Sequence, residues 1–169
     1  LDHWPLYRQG AVFERMGAVV HRSTMSQWMI KAGTLVQPLI NLLQDAILEQ
    51  PTMHMDETTV QVLKEPGKAA EGTSYMWVRV SGDRARPAVL FDYDPSRSRE
   101  VPKRLLAGFN GVLHCDGYPG YDAAIGEYGL ISAGCWAHAR RRFDEVFKAA
   151  GLNPNKPIPK TKKPSTAVR

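Results

Sequence analysis

Apolar residues recur at helical spacing from the start of the chain. Leu6, Val12, Phe13 and Met16 form one stripe, and Gly17 stops it, which predicts a helix over residues 5–17. A second helix is predicted to open after Ser23, whose short hydroxyl side chain suits the N-cap position. Its apolar spacing carries it through Leu35, Pro38 predicts a break or kink, and the helical pattern resumes to about Glu49. Met25 and Trp28 are expected to pack inside this pair, with Arg22 and Gln27 outside. From Pro51 the period shortens. Met53, Met55 and residues 58–63 read as a strand, residues 75–80 as a second and residues 87–91 as a third, with turns at Glu65-Pro66-Gly67 and Ser81-Gly82-Asp83. Residues 96–106 read as a helix, 111–115 as a fourth strand, 120–128 as a short helix, 130–134 as a fifth strand and 136–150 as a last helix.

Three hairpin-linked strands followed by helix, strand, helix, strand and helix is the element order of an α/β, ribonuclease-H-like mixed sheet. Here it is a partial one, preceded by a helical segment. In that fold the first and fourth strands are neighbours. Three parts are expected: a helix-turn-helix-like segment over residues 1–50, the sheet-bearing core over residues 51–150, and a tail over residues 151–169. The tail is rich in proline and lysine, a composition that cannot bury a core. The helical opening also fits a hairpin that only packs or dimerises.

Composition changes this picture in two ways. The longest apolar patches, around Leu39-Ile40 and Leu42-Leu43, are far too short to span a membrane. With no basic-then-apolar leader and no disulfide framework from Cys115 and Cys135, a cytoplasmic protein is expected. The charge is also uneven: net zero over residues 1–50, −2 over 51–135 and +7 over 136–169. A basic end beside a mildly acidic middle suits an acidic site flanked by phosphate-binding groups, although a solvated basic helix and tail give the same count. The chain opens on Leu1, and a fragment of a longer protein is expected.

Asp56 and Asp116 each sit near the end of a predicted strand, each in a His-x-Asp sequence, so His54 shares a face with Asp56 and His114 with Asp116, ~6.7 Å apart along the strand. A hard divalent cation such as Mg²⁺ takes carboxylate oxygens together with water and phosphate oxygens. Glu57 points to the opposite face and is not expected to be a ligand.

Six motifs carry a resemblance. They are Pro5-Leu-Tyr-Arg-Gln9, Arg22-Ser-Thr24, His54-Met-Asp-Glu-Thr58, Phe91-Asp-Tyr-Asp-Pro-Ser-Arg97, Asp116-Gly-Tyr-Pro-Gly-Tyr121 and Cys135-Trp-Ala-His-Ala-Arg-Arg-Arg-Phe143. Each alone is weak. In this order over residues 2–148 the chain resembles the central part of bacterial transposases of the insertion-sequence 66 family. The resemblance implies an Asp-Asp-Glu enzyme that cuts DNA at transposon ends and joins the freed 3′-OH to target DNA. Two Mg²⁺ or Mn²⁺ ions would lie about 3.5–4 Å apart. Asp56 would bridge them and Asp116 would hold one. DNA is the implied partner, with a homo-oligomer and accessory proteins of the same element as further partners.

The family's third acid is a Glu on a helix beyond the Cys-x-x-His element, in a stretch absent here; Glu145 matches no motif position for it. An enzyme inactive alone, a truncated or frameshifted copy, is therefore expected. Cys135 and His138 are given a structural role by the resemblance. Zinc would need two more ligands, and only Cys115 offers itself. Arg140, Arg141 and Arg142 are expected to meet phosphates, and Arg22 and Gln27 to meet DNA from the second helix. Tyr118 and Tyr121 are expected to pack against the strand. The competing functions are a non-catalytic DNA-binding remnant and another ribonuclease-H-like nuclease.

Overall fold

A computed structural model describes residues 4–153 and residue 156. The chain divides into two compact units, residues 1–45 and 46–169. Apart from residues 151–153 and 156, the tail expected over 151–169 lies outside the described residues. Among the described residues, no helix is long and apolar enough to cross a membrane.

The first unit holds helix α1 (Leu6–Arg15) and most of helix α2 (Arg22–Leu48). Gly17, at φ 82°, makes the turn after α1 that side chains with a Cβ resist. Met25 is buried, and its methyl group lies 3.5 Å from where a Cβ on Gly10 would stand, so a residue without a side chain lets α1 approach. Three expectations are corrected here. The helix opens one residue before Ser23, because the His21 carbonyl accepts the N–H of Met25 and Ser23 falls inside the first turn. Pro38 lies inside a helix that continues past it, so of the break or kink expected there the break is not found. It removes one N–H bond, which the strong helix formers around it can offset. Trp28 is exposed, on a helix whose apolar residues largely face outward.

The second unit is built on a five-stranded sheet: β1 (Thr52–Gln61), β2 (Thr73–Ser81), β3 (Val89–Asp94), β4 (Val112–Cys115) and β5 (Ile131–Gly134), in the order β3-β2-β1-β4-β5. The hairpin strands pair antiparallel, whereas β1–β4 and β4–β5 are parallel. This is the ribonuclease-H-like order, with the first and fourth strands side by side. Helices α3 (Glu100–Leu105), α4 (Asp122–Tyr128) and α5 (Trp136–Ala149) complete the unit.

Alternation sorts the side chains of the sheet. Met53, Met55, Trp77, Leu90, Leu113 and Cys115 join Val101, Leu105, Leu106 and Ala124 in one buried cluster, while His54, Asp56, His114 and Asp116 fall on the other face. Within the cluster face, buried Arg79 donates Nε and Nη2 to the two oxygens of Asp92 at 2.9 and 3.0 Å, and Nη1 to the Leu105 carbonyl. This ties β2 to both β3 and α3. The start of β1 is pinned by an approach too tight for a side chain: a Cβ on Gly111 would stand 2.5 Å from the Pro51 oxygen, which accepts the N–H of Val112.

Helix α3 begins at Glu100, four residues later than residue 96. The N–H of Ser96 goes to Asp94 Oδ1 and that of Ser98 to Ser96 Oγ, so side chains hold the segment in turns before the helix starts.

Candidate metal centre

The register of β1 and β4 places the two aspartates. Thr52 pairs with Val112, Met53 with Leu113 and His54 with His114. Two residues further on, Asp56 and Asp116 emerge together from the ends of the paired segment, on the face away from the core. Each carboxylate is held by a nearby backbone N–H: Glu57 N donates to Asp56 Oδ1 at 2.9 Å, and Tyr118 N donates to Asp116 Oδ1 at 3.0 Å. The other Asp56 oxygen, Oδ2, is on the side of His138.

The third wall comes from α5. Cys135 follows β5, its N–H bonds the Cys115 carbonyl, and its own carbonyl accepts the N–H of His138 and Ala139. Those bonds aim the first turn of α5 at the aspartates. His138 Nε2 lies 3.9 Å from Asp56 Oδ2, and one donor atom each from Asp56, Asp116 and His138 lies within 4.8 Å of the others. Among the described residues, His138 Nδ1 is buried with no hydrogen-bond partner. The Cys135 thiol is drawn below its ordinary range, first by the backbone N–H of His138 and then by the His138 ring. Cys115 is buried in the core, and that desolvation, with the charge of Asp116, pushes its thiol up to about 11. A buried protonated thiol on the core face is poorly placed to join Cys135 and His138 around zinc.

Two cavities flank the cluster. One, of about 200 Å³, is lined by His54, Val78, Val80 and His114 together with the cluster. A wider groove of about 1040 Å³ runs from Asp116 and Tyr118 past Trp136 to Arg141, Arg142 and Glu145. Arg141 and Arg142 thus share a groove with Asp116, while Arg140 pairs with Asp144 at 3.7 Å. Glu145 lines the groove but is outside the cluster of three. Arg22 and Gln27 belong to the other unit, on the first turns of α2. His54 is exposed, its ring 4.6 Å from that of His114, and desolvation followed by the His114 charge lowers its pKa.

Spacing alone did not point to the partners of Glu57. Its carboxylate is almost fully buried: Oε1 accepts a bond from Arg97 Nε at 2.7 Å and is ion-paired with Arg97 Nη2 at 2.5 Å, and Oε2 accepts from the Tyr121 hydroxyl at 2.7 Å. Tyr121 is buried edge-on to Trp77. Burial, and then the bond to Glu57, keep its hydroxyl well above the usual phenol range, so it remains a donor.

The model of the Transposase IS66 family matches residues 1–162. The chain belongs to this family. It is 36% identical over 157 residues to Uncharacterized protein y4qI of Sinorhizobium fredii, covering 86% of this chain and 29% of that protein. It is 36% identical over 160 residues to Uncharacterized protein y4jD of the same organism, covering 88% and 31% respectively. The chain therefore spans about a third of the length of these curated relatives. Among solved structures, 66% of the chain aligns with 45% of a chain from the cryoEM structure of the simian T-cell lymphotropic virus intasome in complex with PP2A regulatory subunit B56 gamma. That likeness has a TM-score of 0.41 and 13% identity.

Proposed function

We propose that this IS66-family chain carries the metal-holding part of a DNA transposase, with Asp56 and Asp116 as the carboxylate ligands of Mg²⁺ or Mn²⁺. The observation that supports this most is the convergence of Asp56, Asp116 and His138 donors within 4.8 Å at the open end of β1 and β4. Donors around 2.0–2.2 Å from one ion lie at most about 4.4 Å apart, so small side-chain rotations bring this set to bonding distance. Two carboxylates and an imidazole suit a hard or borderline divalent ion.

When bound, such an ion polarises a phosphoryl oxygen and activates the attacking oxygen. The protein's part is to hold the acceptors. The Glu57 and Tyr118 N–H groups each fix one oxygen of an aspartate, which limits how the two carboxylates can turn. The carboxylates alone would repel a phosphodiester. Arg141 and Arg142, along the same groove, supply the positive charge that brings DNA past them. Among the described residues, the cluster holds no third carboxylate. Strand cleavage and joining are therefore assigned to the protein of family length, and this chain by itself is expected to bind the ion weakly and to be inactive. DNA is the partner, with Arg22 and Gln27 of the helix-turn-helix-like segment as readers of transposon-end sequence. A homo-oligomer, accessory proteins of the element and a cytoplasmic setting belong to the same proposal.

The test is DNA binding by the chain with and without Mn²⁺. Mn²⁺ is expected to tighten binding of the wild type and to leave Asp56→Asn and Asp116→Asn unaffected. Equal binding by all three, with or without Mn²⁺, would favour a non-catalytic DNA-binding remnant.

A further inference from the structure

We infer that Arg97 is a positioning residue that sets the spacing of Asp56 and Asp116. The inference rests on the reading that these two carboxylates hold the ion, and it concerns what keeps them at that spacing. Each aspartate is oriented by one backbone N–H, from Glu57 for Asp56 and from Tyr118 for Asp116. Arg97 joins those two donor residues. Its guanidinium grips the Glu57 carboxylate through Nη2 and Nε and lies 3.9 Å over the ring of Tyr118. The Tyr118 hydroxyl donates back to the Arg97 carbonyl, which closes the link.

The brace spans three segments far apart in sequence: the end of β1, the turn before α3, and the loop after β4. Its parts are built to fit. Glu57, on the face opposite Asp56, has a side chain only 3% exposed, and the guanidinium and the Tyr121 hydroxyl supply the partners that a buried carboxylate requires. Gly120 makes room for the Tyr118 ring, since a Cβ there would stand 2.1 Å from ring atom Cε1. That accounts for a glycine two residues after Tyr118 in the Asp-Gly-Tyr-Pro-Gly-Tyr motif. It also separates Arg97 from the arginines of α5. With Nε and Nη2 against Glu57 and one face on Tyr118, the Arg97 guanidinium already has partners within its own unit, whereas Arg141 and Arg142 line the groove beside Asp116.

The planar guanidinium matters as well as the charge, because a lysine cannot set two nitrogens against one carboxylate oxygen while stacking on an aromatic ring. Groups that hydrogen-bond or orient metal ligands typically change metal affinity by about 10–100-fold when removed.

The experiment is a Mn²⁺ titration of the full chain, read by water-proton relaxation enhancement, with thermal melting of each variant alongside. Arg97→Met alone would strand a buried carboxylate and risk unfolding, so it is combined with Glu57→Gln, which leaves no unpaired charge. The double variant is expected to melt near the wild type yet bind Mn²⁺ about tenfold more weakly. Arg97→Lys, which keeps the charge, is expected to fall between the two. A brace that only stabilised the fold would leave affinity unchanged in both folded variants, and that result would overturn the inference. Asp56→Asn and Asp116→Asn run in parallel. If neither weakens Mn²⁺ binding, the metal reading fails; if both do while the Arg97 variants match the wild type, only the brace fails.

Discussion

His54 and His114 are register partners across the parallel pair β1 and β4, with ring centroids 4.6 Å apart. This one pairing determines that Asp56 and Asp116, each two residues further along, come side by side where β4 ends. A slip of one residue would turn one of the two aspartates into the core. The metal proposal therefore depends on whatever holds the sheet in register, and the predictions begin there.

Asp92 is the carboxylate partner of Arg79, whose side chain is fully buried. Asp92→Ala takes that carboxylate away from the buried guanidinium, which keeps its bond to the Leu105 carbonyl. The expected loss is about 3 kcal/mol of unfolding free energy, the low end for breaking a buried pair because Asp92 is itself partly exposed. Urea denaturation measures it. A variant as stable as the wild type would mean that Arg79 is held by its other neighbours.

Glu65 gives the hairpin between β1 and β2 an acid-sensitive tie. The Ser74 hydroxyl first, and the Tyr93 hydroxyl next, hold its carboxyl below the usual range. A depressed carboxyl pKa contributes stability above the unfolded value, near pH 4.5, and that contribution is lost as pH falls through the folded value. Glu65→Gln is expected to lose less stability than the wild type between pH 7 and pH 3, read from urea midpoints. Parallel losses would show that other carboxylates carry the acid sensitivity.

The faces of β1 and β4 were legible from alternation, Met53 and Met55 against His54 and Asp56 and Leu113 and Cys115 against His114 and Asp116, and their pairing from the element order of a ribonuclease-H-like sheet. The helices were less so. Pro38 suggests a break because propensity is local, yet the absence of one N–H bond does not end a long helix. The residues before α3 have helical spacing, but Asp94 and Ser96 side chains capture the N–H groups a helix needs. The approach of His138 to Asp56 was not legible, since it depends on how the Cys115–Cys135 backbone bond aims α5. Nor was the grip of Arg97 on Glu57, 40 positions apart, for which no spacing rule exists.

Arg141 and Arg142 line the groove beside Asp116, whereas Arg140 is paired with Asp144. Changing Arg141 and Arg142 to Ala is expected to flatten the plot of log K for DNA against log salt by about 0.9 for each phosphate no longer neutralised. Arg140→Ala should change it less. Fluorescence anisotropy across a salt series gives the slopes. An unchanged slope in the double variant would make this face of α5 a solvated one.

The central claim is that Asp56, Asp116 and His138 surround one divalent ion. Iron-directed cleavage of the polypeptide tests it most directly. Fe²⁺, standing in for Mg²⁺ or Mn²⁺, is added with ascorbate and peroxide, and the cut positions are mapped by mass spectrometry. Cuts are expected to cluster at residues 54–58, 114–118 and 135–138, to disappear under excess Mn²⁺, and to be absent from the Asp56→Asn/Asp116→Asn variant. Cuts that fall elsewhere, or that persist unchanged in that variant, would contradict the assignment of a metal centre to these residues.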